Sequence, residues 1–338
     1  MTCYFDLENF VAFSKQTIDK DYRKNAIQAL SLLKDNFNIK INSKSYDECD
    51  EYVQILLTEF TDGVEGEVDL EFGCTANVLR QSNSFKGSIL FLQDKETVST
   101  IKERNEILCG GISEETDILS MLFLHKNKCH SEEFLGKNIT AKNYLNLKNL
   151  PFTKLVIVDR YLLKNKDGIS NIDFFEANIL KLLKDLLASK KTRVDIIFVY
   201  QLKKTYDPVT KTHLTDGPEI SKLTETIKKL VDKRSPKPNV IFIAVPTGKQ
   251  IKDEHDRHIF SDYLRIKSGG SFIYFNNEGE MISSSTTVDF YSLSDRQYAE
   301  NSINILKKIE EYSNYTLKNY GSDCYMPSTY NSDEMFKF

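Results

Sequence analysis

Long hydrophobic runs are absent from this 338-residue sequence: segments such as Ile118-Leu119-Ser120-Met121-Leu122-Phe123-Leu124 fall far short of the twenty or so apolar residues that a membrane-crossing helix needs. No membrane association is therefore expected. The six cysteines, Cys3, Cys49, Cys74, Cys109, Cys129 and Cys324, include no Cys-x-x-Cys pair, so they are expected to be reduced core or surface thiols. The opening Met1-Thr2-Cys3-Tyr4-Phe5-Asp6 has neither a basic leader region nor a small-residue cleavage site, which predicts a cytoplasmic location. An excess of positive charge is missing too. The formal net charge of −4 argues against a surface coated for non-specific DNA binding, although one basic groove would suffice for a nuclease. There is no internal repeat and no low-complexity tract.

What is present is an ordinary globular composition, 40% hydrophobic and 28% charged, on a chain long enough for two domains. Pro151 is the expected boundary between an N-terminal α/β domain (1–150) and a C-terminal α/β sheet domain (151–316), followed by a loosely held tail (317–338). In the first half, Tyr22, Ala26, Ala29, Leu30 and Leu33 recur at helical spacing over 19–35, and Phe37–Ile41 reads as a strand. A second helix is expected over Asp47–Phe60 and a buried strand over Ser88–Leu92. The second half alternates: strand Lys154–Asp159, helix Asp173–Leu187, strand Val194–Tyr200, helix Pro218–Val231, strand Asn239–Val245. That order implies parallel pairing with helices on the sheet faces. A last helix is expected from Ser294 to about Tyr315.

The densest chemistry lies at His255-Asp256-Arg257-His258-Ile259-Phe260-Ser261-Asp262, followed by Lys267-Ser268-Gly269-Gly270-Ser271-Phe272. Over an extended 255–261, His255 and Arg257 stand side by side while Asp256 and His258 point the other way. An imidazole can attack phosphorus or move a proton near neutral pH, and a neighbouring guanidinium can clamp two phosphate oxygens. Asp262 could orient the imidazole, and Gly269-Gly270 would let backbone amides approach an anion. The strand leaving the motif is expected at Phe272-Ile273-Tyr274-Phe275.

This spacing, His-x-Arg-x4-Asp-x6-Gly-Gly-Ser, resembles the phospholipase D superfamily motif His-x-Lys-x4-Asp-x6-Gly-Ser, with Arg257 at the lysine position. The Gly-Ser pair is stretched by one glycine, and Asn276 and Asn277 lie near, not at, the place of the usual asparagine. His-Asp-Arg versions of this kind resemble phospholipase D-like halves of bacterial proteins and the C-terminal module of MIT-domain proteins. The resemblance implies a phospholipase D-like domain with His255 as nucleophile, Arg257 as phosphate clamp, Asp262 as orienting carboxylate, and Gly269, Gly270 and Ser271 as the phosphate-binding turn. It also implies a metal-independent phosphodiesterase or nuclease with no cofactor, acting on nucleic acid and fitting a role in prokaryotic defence. Because the chain holds one such motif and the chemistry uses two imidazoles, a homodimer is expected. The same residues serve equally in a non-catalytic module that binds nucleic acid or another phosphate-bearing ligand, or as a surface pair at a strand end.

Asp159-Arg160-Tyr161 follows a strand of the parallel set, where functional groups gather, so Arg160 is a further phosphate-binding candidate. Tyr4-Phe5-Asp6-Leu7-Glu8-Asn9 resembles the opening strand of NYN- or PIN-like metal nucleases, with Asp94 as the one later acid at a strand end, and competes with a plain polar strand end. His125, Cys129 and His130 lack a fourth ligand at a convincing spacing and are expected to be surface residues, so no metal site is expected. The polar loop 203–217 could close over a ligand, and Lys228, Lys229, Lys233, Arg234 and Lys237 read as a solvated helix end or a nucleic-acid contact.

Overall fold

A computed structural model describes residues 1–16, 23–42, 49, 51, 53–55, 58, 87–104, 107–122, 129–133, 150–163, 171–201, 205–207, 212–214, 217–245, 257–276, 278–282 and 287–338. They form two compact units, Met1–Cys129 with Ser292–Glu300, and His130–Tyr291 with Asn301–Phe338.

The first unit carries β1 (Thr2–Asp6), α1 (Leu7–Gln16), α2 (Arg23–Asn36), β2 (Asn38–Asn42), β3 (Ile89–Phe91), α3 (Lys95–Arg104), β4 (Leu108–Gly110) and α4 (Glu115–Leu122). The strands form one parallel sheet in the order β2-β1-β3-β4. Cys3, Phe5, Ile39, Ile41 and all of Ile89–Phe91 are buried, as strands covered on both faces require. Phe5 stacks on Phe91 with ring centroids 4.7 Å apart and meets Phe10 of α1 edge-on at 5.1 Å. Leu90, Leu92 and Cys109 pack with Val98 and Ile101 of α3. The chain reverses direction in the sheet between β1 and β3, and there Asp6 ties three strand ends together. Its carboxylate accepts the Asn42 amide at 3.3 Å and the Gln93 N–H at 2.8 Å. The helix expected over 47–60 lies mostly outside the described residues, whereas α1 answers to no expectation.

The second unit continues with β5 (Cys129–Glu133), β6 (Lys154–Val158), α5 (Asn171–Phe175), a π-helical turn (Glu176–Leu180), α6 (Lys181–Leu187), β7 (Asp195–Gln201), β8 (Thr205–Asp207), β9 (Thr212–Leu214), α7 (Gly217–Lys228), β10 (Asn239–Val245), β11 (Arg257–Phe260), β12 (Leu264–Ser268), β13 (Thr287–Ser292) and α8 (Arg296–Tyr320). Seven strands form one sheet in the order β10-β7-β6-β11-β12-β13-β5, and β8 and β9 make a separate hairpin. The parallel core expected from the apolar runs is β10-β7-β6. Because β7 and β10 add successively on one side of β6, right-handed crossovers put α5, α6 and α7 on the same face. Phe175 accordingly meets Phe198 at 5.5 Å and Phe242 at 6.4 Å. Leu306, Ile309 and Tyr312 of α8 pack on the other face against Val156, Ile197, Ile241 and Phe260.

Two expectations change here. The motif strand β11 runs antiparallel to β6 and turns through residues 261–263 into β12, which pairs with it antiparallel; the sheet is mixed, and Phe272–Phe275 forms a loop with one isolated bridge, Phe275 to Met281. The C-terminal stretch after 317 is not loosely held. Tyr325 exchanges both backbone hydrogen bonds with Phe242 of the edge strand, at 2.8 and 2.9 Å, and Met335 and Phe336 are buried in the core. The buried Lys154 ammonium holds this segment by donating to the Glu334 and Lys337 carbonyls. Among the described residues no helix is long and apolar enough to cross a membrane.

Candidate phosphate site

The site is built on the carboxyl end of β6. Burial on both faces makes Lys154–Val158 a central strand, and the chain leaves it through Asp159, which has no solvent exposure. The Asp159 carboxylate accepts the Tyr161 N–H at 2.9 Å, the Ser271 hydroxyl at 2.6 Å and the Phe272 N–H at 2.7 Å. Burial raises its pKa above the usual carboxylate value; these three hydrogen bonds and the positive field of Arg257 pull the other way. One buried carboxylate therefore fixes two chain segments that are more than a hundred residues apart.

Arg257 opens β11 beside this carboxylate. Its Nη1 donates to the Gly269 carbonyl at 3.2 Å, and its guanidinium carbon lies 5.1 Å from the Tyr161 ring centroid. Arg160 reaches the same ring, 5.5 Å from its centroid, while its Nε donates to Gln201 Oε1 at 2.7 Å. Alternation along β11 sends His258 to the opposite face, buried against Phe260 with ring centroids 5.4 Å apart. The expected separation of Arg257 from His258 is thus seen directly. His255, the expected nucleophile, lies outside the described residues.

The turn 269–271 is fixed from several sides. Gly270 N–H donates to Ser268 Oγ at 3.3 Å, Ser268 Oγ shares a proton with the Tyr274 hydroxyl at 2.6 Å, and Ile273 N–H donates to Ser271 Oγ at 3.2 Å. Burial pushes the Tyr274 hydroxyl well above its ordinary pKa, so it stays protonated. The Ser271 proton is committed to Asp159, so this hydroxyl can offer a phosphate no donor; Gly269, the exposed residue of the turn, is the open approach.

Asp262 is elsewhere. It follows the far end of β11, about 10 Å along the strand from Arg257 at roughly 3.3 Å per residue. There its buried carboxylate accepts Thr153 N–H at 2.6 Å, Lys154 N–H at 3.3 Å and the Thr153 hydroxyl at 3.1 Å. Burial raises its pKa against those bonds and the charge of Lys190. Arg257, Arg160, Gly269, Gly270 and Ser271 come together; Asp262 braces the opposite end of β6. Its expected role as orienting carboxylate gives way to a structural one.

Asn178 was not among the expected residues. In the π-helical turn its Nδ2 takes the Phe174 carbonyl at 2.9 Å, the acceptor that its own N–H would use in an α-helix. The same side chain accepts Tyr274 N–H and Phe275 N–H, both at 2.9 Å, and donates to the Phe275 carbonyl at 2.8 Å. The available signal was a polar residue three positions after Phe175 on an otherwise apolar helix face.

In the first unit, Asp6 is engaged across the sheet, Glu8 is exposed, and Asp94 caps α3 by accepting Thr97 N–H at 3.0 Å and the Thr97 hydroxyl. Among the described residues no three His, Cys, Asp or Glu side chains are grouped to hold a metal ion. His125 lies outside the described residues, and Cys129 and His130 open β5. No family model, curated protein or solved structure matches the chain.

Proposed function

We propose that the Arg257 end of the second unit binds a phosphodiester and that the chain is a phospholipase D-like phosphodiesterase acting on nucleic acid without a metal ion. The observation that carries this reading is the joining of Arg257 to the 269–271 turn by the buried Asp159 and the Gly269 carbonyl, which makes a preorganised cationic rim with Arg160 beside it. In this reading a ring nitrogen of His255 attacks phosphorus, the bond to the leaving oxygen breaks as a second imidazole protonates it, and water then cleaves the phosphohistidine. The second imidazole comes from a two-fold partner. A role in prokaryotic defence fits such an activity.

A second reading, a phosphate-recognition module without turnover, is favoured by the place of Asp262, which is occupied in bracing β6. Labelled single- and double-stranded nucleic acid incubated with the chain in EDTA separates the two. The first reading expects cleavage that His255→Ala abolishes while affinity persists, and that Arg257→Ala weakens together with affinity. Binding without cleavage supports the module. Cleavage lost to chelation and restored by magnesium would sink both metal-free readings.

A further inference from the structure

We infer that Tyr161 is a stacking platform for one unpaired base, with Arg160 and Arg257 holding phosphates on either side of that nucleotide, so that the ligand of this site is single-stranded nucleic acid. The inference rests on the phosphodiester reading above and adds the class of strand.

Three observations support it. Tyr161 is half-exposed, yet its backbone is fixed: its N–H is bound by Asp159, and the turn closes with Leu162 N–H on the Asp159 carbonyl at 3.2 Å. Leu162 and Leu163 anchor the segment in the core, so the ring sits on a rigid base. Both guanidinium groups approach this one ring, at 5.1 and 5.5 Å, and each is tethered to a neighbouring oxygen, Gly269 O or Gln201 Oε1. Their carbons are therefore no more than about 11 Å apart, a span that phosphates one to three nucleotides apart can bridge at roughly 3.4 Å of axis per nucleotide.

The chemistry selects a strand type. Every base has a π-face that an aromatic ring can cover, but in a duplex both faces are already stacked on neighbouring pairs. A ring between two phosphate-binding cations is the combination that sequence-tolerant single-strand binding uses. A site for phosphate alone has no use for a half-exposed, backbone-locked tyrosine there. The chain's net charge of −4 keeps contact with the strand local to this rim.

Fluorescence anisotropy of the full chain in EDTA tests this with three labelled probes: oligothymidylate, an abasic phosphodiester of the same length, and a duplex, each checked for intactness on a gel. The expected result is oligothymidylate binding about 5- to 100-fold more tightly than the abasic chain, the range one base–aromatic stack supports. Tyr161→Leu should erase that ratio while leaving abasic affinity unchanged, and Tyr161→Phe should keep it. Arg160→Ala should weaken both single strands and reduce the slope of log affinity against log salt by about 0.7. Equal affinity for oligothymidylate and the abasic chain, an unchanged ratio in Tyr161→Leu, or tighter duplex binding each overturns the platform and leaves the phosphodiester reading standing. Binding of none of the three overturns both.

Discussion

Replacing Glu115 with glutamine isolates one proton. Glu115 opens α4 with no solvent exposure, and its Oε1 accepts the Asn9 amide at 3.5 Å. Among the described residues Glu115 Oε2 and Asn9 Oδ1 are both buried without a hydrogen-bond partner. A protonated Glu115 satisfies both at once, because Oε2–H can donate to Asn9 Oδ1 in a cyclic acid–amide pair. Burial pushes the Glu115 carboxyl up to about 7; its own N–H, the Asn9 amide and the Ser113 N–H oppose this, and the nearby Glu114 adds to it. The folded-state pKa lies above the ordinary 4.5, so the fold prefers the neutral acid. The stability it contributes is fully present below pH 4.5, falls as pH rises, and has been lost above about 7. Moving a carboxyl over that range amounts to about 3 kcal/mol at about 1.4 kcal/mol per tenfold change in proton affinity. Glutamine keeps the shape and the donor of the neutral acid but cannot ionise. Urea unfolding followed by circular dichroism from pH 4.5 to 8 should therefore show Glu115→Gln gaining on the wild type by about 3 kcal/mol across the interval, with Cys3 protonated throughout because burial raises its thiol. A wild-type-minus-variant difference that stays constant with pH would refute the buried neutral acid.

Three further outcomes follow from buried polar groups of the second unit. Lys154→Met strips the charged donor from the Glu334 and Lys337 carbonyls and should lower unfolding stability by about 2–3 kcal/mol, with proteolysis of the segment after Tyr330 appearing first; an unchanged digestion pattern would count against the strap. Asn178→Ala leaves the Tyr274 and Phe275 N–H groups and the Phe275 carbonyl without their partner and should cost about 3–5 kcal/mol by chemical denaturation, a loss that Asn178→Asp cannot repair because it removes the donors. Asp262→Asn puts a donor where Thr153 and Lys154 present N–H groups and should cost about 2–3 kcal/mol, while oligonucleotide affinity per folded molecule stays at the wild-type value; a selective loss of turnover would restore the orienting role.

The three buried parallel strands were legible because Leu155–Val158, Ile196–Tyr200 and Val240–Val245 are unbroken apolar runs bounded by polar ends, a pattern that needs no partner to be recognised. The C-terminal strap was not legible. Its aromatic and methionine content pointed to packing, but Tyr325, Tyr330, Met335 and Phe336 insert singly, without helical or strand period, and the cation that holds their backbone is nearly two hundred residues away. The helix α1 was missed for a related reason: Asp6 stands where a helix cap would, yet its oxygens go across the sheet to Asn42 and Gln93. Asp159 was legible as a strand-end residue, but its bonds to Ser271 and Phe272 are set by tertiary structure alone.

The motif itself was read as a list of roles, and the hairpin explains why only part of that list gathers in one place. β11 spans four residues, so a position five after Arg257 falls in the turn at the far end, which is where Asp262 is found. The chain then needs one strand length to return, and Arg257 pairs with Ser268, which delivers Gly269, Gly270 and Ser271 beside the guanidinium. The spacing Arg-x4-Asp-x6-Gly is thus the signature of a short antiparallel hairpin as much as of a chemistry: the x4 interval sends the carboxylate away and the x6 interval brings the glycines back. A carboxylate in such a turn is free to brace the neighbouring central strand, as Asp262 does through Thr153 and Lys154, and the charge next to Arg257 is supplied by a different residue, Asp159, on that strand's opposite end.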